Sequence, residues 1–178
     1  MNKLVIIDRD GVINHDSQAY IKSPEEWLPI EGSLEAIAAL NRGGYQVVIA
    51  TNQSGIARGH YDLPMLNSIH EKLHRELLKV NGQVDEIFFC PHQPSDNCEC
   101  RKPKPGLMLQ IQKKYNVDLK ECFFIGDSTT DIQLARTVGC KPILVLTGNG
   151  AKTLNENPDM QEILHFKNLA ESVNYILS

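Results

Sequence analysis

Two carboxylates, Asp8 and Asp10, stand two positions apart, directly after an apolar run at residues 4–7 and directly before Gly11. An aspartate can attack phosphorus and carry the phosphoryl group as an acyl phosphate. A second carboxyl beside it can protonate a departing alkoxide and later take a proton from water. Gly11 lets the chain turn sharply behind the pair, although an Asp-Gly step after a strand also serves as an ordinary turn. A second acidic group, Gly126-Asp127-Ser128-Thr129-Thr130-Asp131, closes another apolar run. Carboxylates converging from two strands suit Mg²⁺, which takes oxygen ligands and keeps several waters. Without a cation, Asp8, Asp10 and Asp127 would repel one another and any phosphate. Asp131 enters the next helix, where capping and ligation are equally open. Thr51-Asn52-Gln53-Ser54-Gly55 offers hydroxyl and amide donors for phosphate oxygens, or else a polar turn. Arg101-Lys102-Pro103-Lys104 gathers three cations, of which Lys102 could neutralise a transferring phosphoryl group; the plain alternative is a solvated basic turn.

A different chemistry sits between these motifs. Three of the five cysteines fall within eleven residues, as Cys90-Pro91-His92 followed after five residues by Cys98-Glu99-Cys100. Three thiolates and one imidazole complete a tetrahedral shell for structural Zn²⁺ and leave no open position for catalysis. Such an ion would staple a long loop next to the acidic motifs. Cys122 and Cys140 stand alone in apolar surroundings and read as core residues.

The elements that must carry these groups alternate. Apolar runs at residues 4–7, 46–50, 86–89, 122–125 and 143–146 predict five buried strands. Helices are expected at 33–41 with Ser33 as N-cap, at 62–80 with Asp62 as N-cap, at 107–115, at 130–138 ending at Gly139, and at 169–177. Repeated β-α units imply an α/β, Rossmann-like parallel sheet flanked by helices, in which ligands bind beyond the carboxyl ends of the strands. The acidic pair, the Thr-Asn turn, the cysteine loop and the second acidic group all follow strands on that same edge. Apart from the helix expected at 169–177, about the last 25 residues are less clear.

The chain has 178 residues, which predicts one domain over 1–178. Eighteen basic against 22 acidic side chains give a net charge of −4, without the basic face that nucleic-acid binding uses. No apolar run approaches the ~20 residues of a membrane span. The run at 4–7 is also too short for a secretory segment, so a reducing, cytoplasmic setting is expected.

The order Asp-x-Asp-Gly, Thr-Asn, Lys, Gly-Asp-x-x-x-Asp resembles the haloacid dehalogenase (HAD) superfamily of phosphatases. That resemblance implies Asp8 as nucleophile and Asp10 as acid/base. It implies Thr51 and Lys102 as phosphate holders, with Mg²⁺ on Asp8, the Asp10 carbonyl and Asp127. The fuller pattern adds Asp-Arg-Asp-Gly-x-x-Asn, Thr-Asn-Gln-Ser-Gly-Ile-Ala-Arg-Gly, Cys-x-His-x5-Cys-x-Cys and Arg-Lys-Pro-x-Pro-Gly. It is similar to the subfamily of D-glycero-D-manno-heptose 1,7-bisphosphate 7-phosphatases, which act in making the activated heptose of bacterial surface polysaccharide, and next to histidinol-phosphate phosphatases. By this resemblance Asp16 and Tyr20 lie in a loop touching the sugar and Arg101 helps to recognise substrate; an exposed hairpin is the alternative for Asp16 and Tyr20. The implied partner is a small phosphorylated sugar, bound by a monomer. Some members carry Lys directly after the fourth-motif Asp; Ser128 stands here, and that phosphate contact is absent. No insertion is long enough for a large cap domain, so short loops and the zinc loop must select substrate. A phosphotransferase or mutase, or a zinc-loop interaction module on an inactive scaffold, are the readings of other classes; the intact carboxylates speak against the last.

Overall fold

The computed structural model describes residues 3–178. Six strands form one parallel sheet in the order β3-β2-β1-β4-β5-β6. They are β1 (Lys3–Ile7), β2 (Tyr45–Asn52), β3 (Glu86–Cys90), β4 (Phe123–Gly126), β5 (Lys141–Val145) and β6 (Leu164–Phe166). The helices are α1 (Ser33–Arg42), α2 (Leu63–Lys79), α3 (Gly106–Tyr115), α4 (Thr129–Val138), α5 (Gly150–Glu156) and α6 (Leu169–Leu177). The central stretches of β1 to β5 are apolar because both faces of the sheet are covered there. Val5, Ile7, Val47 and Ile49 pack under Ile37, Leu40, Leu73 and Val173 from α1, α2 and α6. Their neighbours Leu4, Ile6, Val48 and Ala50 pack on Leu107, Ile111 and Leu134 from α3 and α4. The sheet therefore separates two cores, and β1 at its centre is buried on both sides.

The strand order reverses between β1 and β4, the place where such sheets bind ligands. Asp8 follows β1, Asn52 ends β2, Cys90 ends β3 and Asp127 follows β4. Between Asp10 and Lys102 the chain forms only α1, α2, β2, β3 and short loops or turns, so no cap domain covers this edge. Among the described residues, no helix is long and apolar enough to cross a membrane.

Two local expectations are corrected. Ser33 is the first residue of α1, and Gly32 occupies the N-cap; the Ser33 hydroxyl instead donates to the Ile13 carbonyl at 2.6 Å, tying the helix to the loop after β1. The chain also forms α5 and β6, which the expected elements lack. Asp16 and Tyr20 lie in a long loop whose ends pair antiparallel, His15 N–H donating to Leu28 C=O and Ile30 N–H to Ile13 C=O at 2.9 Å each, and a turn within it closes from Tyr20 N–H to Ser17 C=O at 3.0 Å.

Candidate active site

Asp8 is locked at the switch point because its N–H donates to Ile125 C=O at 2.9 Å. Lys102 arrives from the loop after β3, 3 % exposed. Its Nζ lies 3.0 Å from Asp8 Oδ1 and 2.7 Å from Asp131 Oδ1, and donates to Ala50 C=O at 2.8 Å. Burial would drive this ammonium to lose its proton; the Asp131 and Asp8 carboxylates prevail and push its pKa up. Asn52 clasps the Lys102 backbone, accepting from its N–H at 3.0 Å and donating to its C=O at 3.2 Å. The cation is thus fixed at both ends.

Asp131 resolves into a cap. Its Oδ2 accepts from Ser128 N–H and Oγ while the Ser128 hydroxyl receives the Asp131 N–H, a reciprocal box that starts α4. Its other oxygen holds Lys102. Ser128 consequently has a structural task at the position where a lysine is absent.

Carboxylate oxygens of Asp8, Asp127 and Asp131 lie within 4.8 Å of one another, all three residues buried. Burial, then the Asp131 charge, pushes Asp127 up to about 7. Burial, with Asp131, Asp127 and Asp10 acting against Lys102, holds Asp8 well above the usual carboxylate range. Asp131 has one oxygen on Lys102 and the other on Ser128, whereas Asp8 Oδ2 and Asp127 Oδ1 accept no hydrogen bond from the described residues, their other oxygens facing Lys102 and Asn149, and are open to an ion. The Asp10 carbonyl oxygen accepts no hydrogen bond from the described residues. An all-oxygen set in which two neighbouring carboxylates resist ionisation fits Mg²⁺. Gly11, at φ +81°, passes so close to Asp127 that a Cβ there would collide with its Oδ2. Gly11→Ala should therefore displace Asp127 and cut turnover by ~10²-fold, the scale of an ångström-level misplacement; kinetics at saturating Mg²⁺ would check it.

Asp10 is held differently. Arg9 donates to both of its oxygens at 2.9–3.0 Å, Asn14 to Oδ1 at 2.9 Å and Gln53 to Oδ2 at 2.9 Å. Burial opposes ionisation, but the Arg9 charge and these hydrogen bonds outweigh it and lower the Asp10 pKa. Gln53 also donates to Thr51 Oγ1 at 3.0 Å and accepts from Tyr61 OH at 2.6 Å. Gly55 is required here, because a Cβ would run into the Tyr61 ring.

These groups floor an open cavity of about 350 Å³, which Asp16, Tyr20, Ser54 and Arg101 also line. Tyr20 stacks on His60 at 4.7 Å, which joins the 16–20 loop to the loop after β2. Arg101 Nη1 donates to His92 C=O at 3.2 Å, so the cysteine loop steers it. In that loop, Cys90 Sγ lies 2.9 Å from Cys100 Sγ and 3.5 Å from Cys98 Sγ, and His92 Nδ1 lies 3.3 Å from Cys100 Sγ. All four donor atoms fall within 4.8 Å of one another and no disulfide joins them. Zn–S bonds of ~2.3 Å span a tetrahedron of comparable edge, so the donor set fits zinc. Burial holds Cys90 and Cys100 protonated more firmly than usual. Cys98 is lowered to about 7, because hydrogen bonds from Arg101 N–H and the neighbouring thiols outweigh desolvation.

Residues 99–172 match the HAD-hydrolase-like family model. The D-glycero-beta-D-manno-heptose-1,7-bisphosphate 7-phosphatase of Pseudomonas aeruginosa is 50 % identical over 174 residues, covering 98 % of this chain and 97 % of the relative. Its namesake in Bordetella bronchiseptica is 55 % identical over 152 residues, 85 % of each chain. The chain belongs to this heptose-bisphosphate phosphatase family. A crystal structure of the Bordetella bronchiseptica D,D-heptose 1,7-bisphosphate phosphatase, complexed with magnesium and phosphate, superposes with a TM-score of 0.95 at 50 % identity over 98 % of both chains. The Burkholderia thailandensis counterpart gives 0.79 at 40 % identity over 99 % of both.

Within this family fold, the structure brings Asp8, Asp10, Thr51, Asn52, Gln53, Ser54, Arg101, Lys102 and Asp127 to one cavity together with Asp16 and Tyr20. The amides of Asn52 and Gln53, expected on phosphate, are engaged by Lys102 and by Asp10, Thr51 and Tyr61. Sequence reasoning missed the segment after β5. Asn149 donates its N–H to Asp127 Oδ2 at 2.7 Å and its side-chain amide to Asp16 Oδ2 at 3.1 Å. Thr147 Oγ1 donates to Gly11 C=O at 2.6 Å and Thr153 Oγ1 to Asp127 C=O at 2.9 Å. This segment holds both acidic motifs in place. It also missed Arg9, fully buried, which the Asp-x-Asp spacing treats as a spacer.

Proposed function

We propose that this chain is a Mg²⁺-dependent phosphatase that removes the 7-phosphate of D-glycero-beta-D-manno-heptose 1,7-bisphosphate through an aspartyl phosphate on Asp8. The observation that carries the reading is Asp8 at the sheet's switch point, with Lys102 Nζ at 3.0 Å and a charged Asp10 beside it. The shared name of the relatives supplies the substrate and its beta anomer.

The phosphoryl group would seat between Lys102 and the hydroxyls of Thr51 and Ser54. Thr51 Oγ1 already accepts from Gln53, which leaves its proton for a phosphate oxygen. Asp8 attacks phosphorus, and the bond from phosphorus to the sugar oxygen breaks. Arg9 keeps Asp10 ionised at rest; a phosphate dianion arriving beside it raises its proton affinity, so that Asp10 takes up one proton from solvent as substrate binds, and it passes that proton to the leaving alkoxide. Asp10 then takes a proton from water as the water attacks the aspartyl phosphate, freeing Asp8 and inorganic phosphate. Asp8, the Asp10 carbonyl and Asp127 would hold Mg²⁺, whose chemistry when bound is to neutralise charge on the phosphate oxygens. Asp16 and Tyr20 would meet the sugar from the 16–20 loop, and Arg101 its far end.

Cys90, His92, Cys98 and Cys100 would bind a structural zinc that orders the loop carrying Arg101 and Lys102. Residues 1–178 would work as one domain and as a monomer, since one chain supplies every group named. Its place would be the cytoplasm, in the synthesis of ADP- or GDP-heptose for surface polysaccharide such as lipopolysaccharide.

The test is phosphate release from a panel of heptose 1,7-bisphosphate, histidinol phosphate and other sugar phosphates, with phosphorus NMR to identify the ester that is lost. Fast, Mg²⁺-dependent loss of the 7-phosphate is expected; preference for histidinol phosphate would overturn the substrate. Chelation with EDTA should stop turnover and Mg²⁺ restore it. Binding of the ion must displace a proton from Asp127, whose pKa without metal is about 7. The Mg²⁺-induced rise in melting temperature should therefore be small at pH 5 and grow toward pH 8; a rise independent of pH would remove Asp127 from the ligand set. Cys98→Ala should bring zinc content clearly below one per chain and lower the melting temperature. It should raise KM more than it lowers kcat, because Arg101 hangs on His92. Zinc at wild-type content would exclude Cys98 as a ligand.

A further inference from the structure

We infer that His70 is a positioning residue for the acid/base step, because its imidazole anchors the Arg9 guanidinium that orients the Asp10 carboxylate. The inference rests on the phosphatase reading above and deepens it. His70 lies on α2, between Ile69 and Leu73 of the core face, and is 7 % exposed. Its Nε2 sits 3.0 Å from Arg9 Nη1. A guanidinium can only donate, so Nε2 must be the bare, accepting nitrogen and the ring neutral. Burial and the Arg9 charge enforce this, lowering the His70 pKa to about 3.

Each nitrogen of Arg9 has a separate task. Nε and Nη2 grip Asp10. Nη2 also reaches Gln53 Oε1 at 3.2 Å. Nη1 has His70 as its one side-chain partner among the described residues. Arg9 is completely buried, so losing the imidazole would orphan a charged donor, and no water would replace it cheaply. The planar fork would then tilt, and Asp10 would tilt with it. His70 lies two hydrogen bonds from the carboxylate and outside the residues lining the cavity, so its effect on catalysis must pass through Arg9.

The experiment compares wild type, His70→Phe, His70→Gln and Asp10→Asn on heptose 1,7-bisphosphate and on 4-nitrophenyl phosphate, whose leaving group needs little acid assistance. His70→Phe should lose roughly 10–10²-fold in kcat on the sugar phosphate, a part of the 10²–10⁴ that acid/base catalysis supplies. KM should stay within about twofold and the loss on the aryl ester should be several-fold smaller. His70→Gln, whose amide oxygen can accept from Nη1, should recover most of the activity. The ratio of the two kcat values in one preparation does not depend on how much of the variant is folded, so poor folding cannot mimic the result. An unchanged ratio in His70→Phe, alongside a shifted ratio in Asp10→Asn, would overturn the inference and leave the phosphatase reading standing. A wild type that hydrolyses neither ester would overturn both.

Discussion

Asp8→Asn should reduce turnover of every phosphate ester to background while the folded protein remains. The amide has nearly the same shape, but its oxygen is a poor nucleophile and cannot carry a stable acyl phosphate. The effect on stability should run the other way. In the absence of metal, burial and the charges of Asp131, Asp127 and Asp10 hold the Asp8 carboxyl well above its ordinary range. An acid whose folded pKa exceeds its unfolded pKa weakens folding once the pH has risen past both. Removing that charge should leave the melting temperature in EDTA unchanged or higher at pH 7 and above. Lys102 stays paired through Asp131 at 2.7 Å, so the substitution does not strand it. Mg²⁺ should stabilise the variant less than wild type, because one ligand is gone. Rapid acid quench with labelled substrate should trap phosphoprotein in wild type and none in the variant. Residual turnover near the wild-type rate would remove Asp8 from the centre of the chemistry, and a variant that melts far lower in EDTA would overturn the electrostatic account of its burial.

What could be read from the sequence was the part in which residue type is itself the chemistry. Asp8, Asp10 and Asp127 sit at strand ends, and a parallel sheet places those ends together. The cysteine cluster was legible because three thiols and a histidine at short spacing have few other uses. The strands were legible because burial on both faces makes them continuously apolar. The supporting groups carry no such signature. Asn149 acts through a backbone N–H and a side-chain amide that bridge Asp127 and Asp16, residues far from it in the chain. His70 lies on a helix face whose leucines and isoleucine already explain it. Arg9 fills a gap in a motif and is recognised only when its burial is seen.

The missed elements have equally physical causes. β6 is three residues at the sheet edge, and its Leu164 is 42 % exposed, so no apolar run marks it. α5 buries only Gly150 and Thr153 and has no hydrophobic stripe. It forms because Thr153 and the Thr147–Asn149 turn satisfy groups in the two acidic motifs. The wrong cap at Ser33 has a similar origin: a long-range acceptor, Ile13 C=O, claims the hydroxyl that local preference would assign to the helix start.

Lys102→Met should be the most destabilising single change at the site and should also abolish efficient turnover. The ammonium is almost fully buried and touches Asp8, Asp131 and the Ala50 carbonyl. Methionine preserves most of the volume, so the cost is electrostatic: Asp131, with no exposed surface, would face Asp8 without a counter-charge. Breaking one partner from a buried pair costs about 3–5 kcal/mol, whereas replacing both partners costs far less. The double variant Lys102→Met/Asp131→Asn should therefore recover most of the lost stability, since asparagine can still accept from Ser128 N–H and keep the α4 cap. It should not recover turnover, because no cation would remain at the phosphoryl position. Chemical denaturation of the four proteins of this cycle, in EDTA, measures the coupling directly. A coupling near zero would mean that Lys102 is held by its backbone clasp on Asn52 and not by the carboxylates. Recovery of activity along with stability would mean that the lysine organises the site without acting on the phosphoryl group.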